Sequence, residues 1–396
     1  MTRTNLLASR AAQAVFFVLV GSAFLACAQK PTAKVLTIGL QAPISGAYAA
    51  EGQWARQSAE IAAALINAKG GIGGMQIKIE LADDAGNPKD SALAAQKLIS
   101  KGVKLVVGSY GSGITIPAAD LYDSKGVVSV GYGCTAVRLT MEKQRPYFFR
   151  TCGRDDTQSA FFATVVEKLG SKRVAIMHDN SDYGKGVAED AKRFLEPLLA
   201  SGKVELVYYD AITPGETDYT AAVQKLKTLN PDLWFYTSYY SEAGLLIKQA
   251  RQSGLNCLFV GSNAVPNPEF VKIAGAEAVA GSLMLNEPMP QFLATPEATE
   301  FLDAYKKAHS ELPGSIWAIY AADGVNAIAA AYQKAYGAKA PKEIDAQTIA
   351  TAMRGLADVK GVTGILAFDE RGDRKNVPYQ LYAYDAKGEL APYALP

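Results

Sequence analysis

The chain has 396 residues, 49% of them hydrophobic and 20% charged, enough for one large or two medium domains with an ample core. Its 40 basic and 39 acidic residues leave a net charge of +1 with no basic stripe or acidic tail, which excludes nucleic acid as a partner.

Residues 1–28 read as a leader. Arg3 and Arg10 precede the apolar run "AAQAVFFVLVGSAFLACA", which ends small-x-small at Ala26-Cys27-Ala28, the pattern of a secretory signal cleaved after Ala28. The run is short for a membrane span and is broken by Gly21 and Ser22. A second reading is a lipoprotein signal with Cys27 acylated. Either way the protein is expected to be exported, and the first reading makes it periplasmic. Cys134, Cys152 and Cys257 then remain, an odd number that makes no complete disulfide framework. Cys152 and Cys257 lie beside apolar runs and read as packed thiols.

From Val35 strand and helix signals alternate. "VLTIGL" reads as a strand, "EGQWARQSAEIAAALINAKG" as a helix, "MQIKIELA" as a strand and "PKDSALAAQKLISKG" as a helix with Pro near its start and Gly at its end. "VKLVVG", a helix over "ITIPAADLYDSKG" and "VVSVG" complete a first series. A second series starts near Cys152: helix "DDTQSAFFATVVEKLG", strand "RVAIMHD", helix "GKGVAEDAKRFLEPLLASG", strand "VELVYYD", helix "DYTAAVQKLKTLN", strand "DLWFYTSYY", helix "EAGLLIKQARQSG" and strand "CLFVG". Repeated units with continuous apolar strands predict parallel sheets covered by helices, here as two similar α/β lobes. "FFRTCGRDD" marks the first crossing between them. Beyond Gly281 come strand "SLMLN", a Pro-rich loop, helices around 298–308, 316–336 and 346–355, and a β-rich end. The Arg371-Gly372-Asp373 triplet reads as a plain turn between strands.

The chemistry points to binding. There is no GxSxG elbow, P-loop, GxGxxG, CxxC or HExxH, and neither His178 nor His309 stands where a catalytic base is needed, so no enzyme, cofactor or metal site is expected. Loops at the carboxyl ends of parallel strands form the binding crevice of open α/β sheets. "SYGSG" and "GYGCT", Gly131 to Thr135, occupy such loops and offer hydroxyls and free N–H groups beside a helix start, which suits a carboxylate. Tyr183, Tyr239 and Tyr240 end strands of the second series, and Asn263 ends the next one in "FVGSNAVPNP".

The segments "IGLQAPISGAYAAEG", "INAKGGIGG", "LADDAGNPKDS", "VVGSYGSGITIPAAD", "FFRTCGRDD", "HDNSDYGKGVAEDAKRFL", "IKQARQSGL" and "SIWAIYAADGVNAI" resemble the leucine/isoleucine/valine-binding proteins, periplasmic receptors of ABC importers. The resemblance spans nearly all of the chain after the leader. It implies a type I periplasmic-binding-protein fold with three hinge crossings, residues 34–152 and 287–375 in the first lobe and 153–286 and 376–396 in the second. It also implies a monomer that encloses a small-molecule ligand and presents it to an inner-membrane ABC permease. Carried over by position, Ser112 binds the ligand carboxylate, Thr135 is a second polar contact, Gly133 offers backbone to the amino group, and Tyr183 and Tyr239 close over the ligand. The expected ligand is a branched-chain or other hydrophobic amino acid; an aromatic or aliphatic acid, an amide, or a sensing role are the alternatives. Three positions depart from the family pattern. Asn263 stands where amino-acid receptors often place a carboxylate, which leaves Glu51, Asp182 and Glu242 as candidate acids for the ammonium. Ser315 stands near a pocket-lining aromatic. Gly86 and Gly111 fill the two places of a first-lobe disulfide.

Overall fold

The computed structural model describes residues 34–339 and 341–396; the leader reading of residues 1–28 lies outside them. Strands β1 (Val35–Ala42), β2 (Gln76–Asp83), β3 (Leu105–Val107), β4 (Val128–Gly131) and β5 (Phe148–Arg150) form one sheet in the order β2-β1-β3-β4-β5, every pair parallel. Strands β6 (Arg173–His178), β7 (Glu205–Ala211), β8 (Leu233–Tyr236), β9 (Leu258–Gly261) and β10 (Leu283–Asn286) form a second sheet with β13 (Gln380–Tyr384) and β14 (Leu390–Pro392). Its order is β14-β13-β10-β9-β8-β6-β7, antiparallel only at β13 and β14. A short hairpin of β11 (Val359–Gly361) and β12 (Gly364–Leu366) stands apart.

The central strands are apolar end to end because helices cover both faces of each sheet. Leu105, Val106 and Val107 are fully buried, as are Leu233, Trp234, Phe235 and Tyr236. Each such Leu, Val or Phe contributes about 1.5–3 kcal/mol when removed from water. The helix Ile316–Tyr336 is buried on nearly every side and packs between the first sheet and the helix Ala49–Ala68.

Both sheets place a topological switch beside the cleft. In the first, β1 and β3 are neighbours whose outgoing chains enter helices on opposite faces; in the second, β6 and β8 hold the same relation. Such reversals open a crevice at the strands' carboxyl ends.

The chain passes between the sheets three times: after β5, after β10 and between β12 and β13. A buried ion pair marks this junction. Arg150 donates to Asp373 at 2.6 Å, and Arg154 reaches the other oxygen at 3.0 Å. Against the upward push of burial, the Arg150 guanidinium holds the Asp373 carboxyl below its usual range. The Arg371-Gly372-Asp373 triplet is therefore a docked turn. The Gly372 carbonyl accepts from the Arg150 backbone N–H at 3.0 Å, and Asp373 is buried.

Candidate functional site

Two adjacent loops of the first sheet make one wall. Gly111 (φ 92°) turns the chain into the helix Ser112–Ser124, whose first N–H groups have no partner within the helix. The loop after β4 lies against it: the Gly111 N–H donates to the Gly133 carbonyl at 2.6 Å, and the Gly133 N–H to the Ser109 carbonyl at 3.1 Å. A Cβ on Gly133 would meet the Tyr110 ring at 2.7 Å and the Tyr110 Cα at 3.2 Å, so only glycine permits this approach. Ser112 Oγ accepts the Ala136 N–H at 3.1 Å, which ties the loops together and leaves the hydroxyl proton to be given elsewhere. Ser112 and Thr135 are both buried.

Asp155 stands directly behind Thr135. Its N–H donates to the Thr135 carbonyl at 3.0 Å, its Oδ1 accepts from Gln158 at 3.2 Å, and its Oδ2 is buried without a partner. Burial pushes its carboxyl up to about 7, against the opposing pull of the Thr135 hydroxyl and the Arg150 guanidinium. The sequence reading passed over Asp155. Its signal was a carboxylate in the same crossing segment as Arg154.

The second sheet supplies the opposite wall. Ser181 caps the helix Asp182–Ala200 by accepting the Gly184 N–H, which fixes Tyr183 in the first turn. The Tyr183 phenol bonds Asn263 Oδ1 at 2.6 Å and Ser262 Oγ at 2.9 Å. Tyr239, at the start of the helix Tyr240–Gln252, packs 5.3 Å from the Tyr183 ring and 4.8 Å from Tyr48, which follows β1. Tyr110 lies 6.0 Å from Tyr239 and 6.2 Å from Trp317, completing an aromatic box drawn from both lobes. Tyr48 and Tyr110 were missed, although the strand-end rule that selected Ser112 and Tyr183 applies to the loops holding them.

Asn263 sits behind this wall. It is fully buried, and its Oδ1 accepts from Tyr183 and from Gln158 at 3.2 Å. Its Nδ2 donates to Glu287 at 3.3 Å and to the Tyr379 hydroxyl at 3.4 Å. All four amide positions are engaged, and Asn263 meets the aromatic box through Tyr183. Glu287, which the sequence reading did not single out, is buried at the second crossing and accepts the Gly153 N–H at 3.4 Å; burial raises its carboxyl.

The candidate acids fall in different places. Asp182 pairs with Arg138, and half-buried Glu242 bonds Ser241 and the Gly215 N–H, with its charge felt at Tyr48. Glu51, in the first turn of the helix Ala49–Ala68, is buried inside. It accepts from Ser315 at 2.5 Å and from Asn267 of the opposite lobe at 2.6 Å, and burial pushes it up to about 7. The Tyr240 hydroxyl also crosses the cleft, to the Ala47 carbonyl at 3.2 Å. Cys134 and Cys152 are buried free thiols, whereas Cys257 is only half-buried. Among the described residues, no group of three or more His, Cys, Asp or Glu could hold a metal, and no helix is long and apolar enough to cross a membrane.

Comparison with known proteins identifies the family and the fold. A family model described as periplasmic binding protein matches residues 35–389. A Leu/Ile/Val-binding protein of Rhizobium johnstonii is 35% identical over 352 residues, 89% of this chain and 92% of that protein. The leucine-, isoleucine-, valine-, threonine-, and alanine-binding protein of Pseudomonas aeruginosa is 32% identical, covering 89% of this chain and 90% of that one. Among solved structures, the isoleucine complex of a branched-chain amino acid transporter substrate-binding protein from Streptococcus pneumoniae matches with a TM-score of 0.80. It shows 30% identity over 90% of this chain and 98% of that chain.

Proposed function

The chain belongs to the periplasmic binding protein family, and from that premise we propose that it is the extracytoplasmic receptor of an ABC importer, capturing an α-amino acid between its lobes. The observation that carries this reading is the pairing of a carboxylate-binding loop with a buried acid that has one unpartnered oxygen. The free N–H groups of the helix Ser112–Ser124 and the Ser112 hydroxyl suit the α-carboxylate. Asp155 Oδ2, buried and unpartnered beside Thr135, suits the α-ammonium, which loses its water on enclosure and needs an anionic partner. Gly133 contributes as scaffold, with one lone pair of its carbonyl left for the ammonium. Tyr183 and Tyr239 face these groups from the second lobe and, with Tyr48 and Tyr110, box the side chain.

Residues 34–152 with 287–375, and 153–286 with 376–396, act as the two bodies. Ligand bridging them stabilises the shape presented to an inner-membrane permease, with the receptor working as a monomer. The branched-chain amino acids come first among candidates, because relatives are named for them. The test is a melting screen over amino acids and their des-amino counterparts. A ligand at about 100 times its dissociation constant should add roughly 2.7 kcal/mol of stability. No shift with any amino acid, alongside a shift with des-amino acids, would move the ligand class to simple carboxylic acids. The exported chain is expected to begin at Gln29, which its intact mass would show; a diacylated Cys27 would contradict that.

A further inference from the structure

A second buried carboxylate links the two lobes: Glu51 lies in the first turn of the helix that Tyr48 precedes and bonds Asn267 of the other lobe at 2.6 Å. Glu51 is buried, yet among the described residues it has no cationic partner; its two hydrogen bonds come from the neutral Ser315 hydroxyl and the neutral Asn267 amide. A carboxylate offers about four acceptor sites, so half of its capacity is open. The Tyr110 hydroxyl is also fully buried and has no hydrogen-bond partner. The Tyr110 ring lies 5.6 Å from Tyr48, one turn before Glu51, and the Tyr240 hydroxyl reaches the Ala47 carbonyl at 3.2 Å; burial first, and the Glu51 charge next, push both phenols up. Asn267 further lines a cavity of about 490 Å³ with Leu312, Gly314, Met289 and Tyr384, so space from both lobes adjoins this cluster.

A purely aliphatic side chain enclosed here would leave the spare carboxylate sites and the Tyr110 hydroxyl unsatisfied, an arrangement that buried polar groups avoid. We propose that Glu51, with Ser315, Asn267 and the Tyr110 hydroxyl, forms a distal polar subsite that selects an amino acid whose side chain ends in an N–H or O–H donor over its aliphatic isostere. The inference rests on the amino-acid reading above and narrows it. Sites that hydrogen-bond a ligand group discriminate against analogues lacking that group more strongly than apolar pockets discriminate on size.

The test compares near-isosteric pairs by calorimetry: L-asparagine with L-leucine for a neutral donor, and L-ornithine with L-norleucine for a cationic one. The wild-type protein should prefer at least one polar member by about tenfold or more. Glu51→Met, which keeps the length and removes the acceptor, should shrink that preference to a few-fold. Glu51→Gln, which keeps the shape but replaces one acceptor oxygen with an N–H donor group and removes the charge, serves the same purpose if Glu51→Met fails to fold. Equal or tighter binding of the aliphatic member in both pairs would overturn the subsite while leaving the amino-acid reading intact. Should only des-amino acids bind, that reading falls and the subsite is judged by succinamate against 4-methylpentanoate on the same criterion. No binding by any polar compound also overturns it.

Discussion

Ser112 has two tasks that a single substitution separates. Its hydroxyl proton is free for a ligand carboxylate, and its oxygen accepts the Ala136 N–H. Ser112→Ala should weaken binding by about 1.5–3 kcal/mol, the range for a hydrogen bond to a charged group. It should also lower stability by about 1–3 kcal/mol, because the buried Ala136 N–H loses its partner. Calorimetry and denaturant unfolding measure the two separately; unchanged affinity would make the loop scaffold only. Asn263 gives the converse case. From sequence alone, a carboxylate at 263 looks like a gain for an amino-acid receptor. The structure puts Glu287 3.3 Å from the Asn263 amide and routes the Tyr183 phenol to its oxygen. Asn263→Glu should therefore destabilise the protein by about 1–3 kcal/mol, more at pH 8 than at pH 5.5, where the two carboxyls share a proton. A urea midpoint equal to wild type at pH 8 would contradict this.

At the scale of elements, the two parallel sheets were legible because their strands are apolar runs bounded by helix-length amphipathic segments. The short helices Arg138–Met141, Pro268–Ala274 and Ala276–Val279 and the β11–β12 hairpin were not. Segments of three to seven residues complete at most two turns or one hairpin and carry no usable period. The site divides in the same way. Ser112, Thr135 and Tyr183 stood out as candidates because they lie one loop beyond a recognisable strand. Asp155 and Glu287 escaped because only the crossing connections bring them to the cleft, and spacing along the chain does not encode that. The contact between the loops after β3 and β4 is itself testable. Gly133→Ala would drive a methyl into the Tyr110 ring and backbone, parting the loops at a cost of about 1–3 kcal/mol and lowering ligand affinity with it. A stable Gly133→Ala protein with wild-type affinity would mean that the two loops can move apart freely.

Across the whole molecule, two buried carboxylates, neither in a direct ion pair among the described residues, set a pH signature. Glu51 and Asp155 are both pushed up to about 7 by burial, so the folded state keeps protons that the unfolded chain has already released. Their contribution to stability is greatest below the unfolded carboxylate range and falls as pH rises to about 7. His178 works in the opposite sense: burial lowers its pKa, so its contribution falls as pH drops below its usual value. The clean comparison is between wild type and Glu51→Gln. The melting temperature of the variant should fall less between pH 5 and pH 8 than that of the wild type, and parallel curves would show that Glu51 stays ionised throughout. Asp373, held down by Arg150, should not contribute in this window.

The proposed ligand is an α-amino acid whose carboxylate meets Ser112 and whose ammonium meets Asp155. Calorimetric titration of wild type and Asp155→Asn with the best-binding amino acid and its des-amino analogue tests this most directly. Wild type should bind the amino acid at least about tenfold tighter than the analogue, and Asp155→Asn should erase most of that difference, since it removes the anionic partner of the ammonium. A des-amino analogue that binds wild type as tightly as the amino acid, or tighter, would contradict the account.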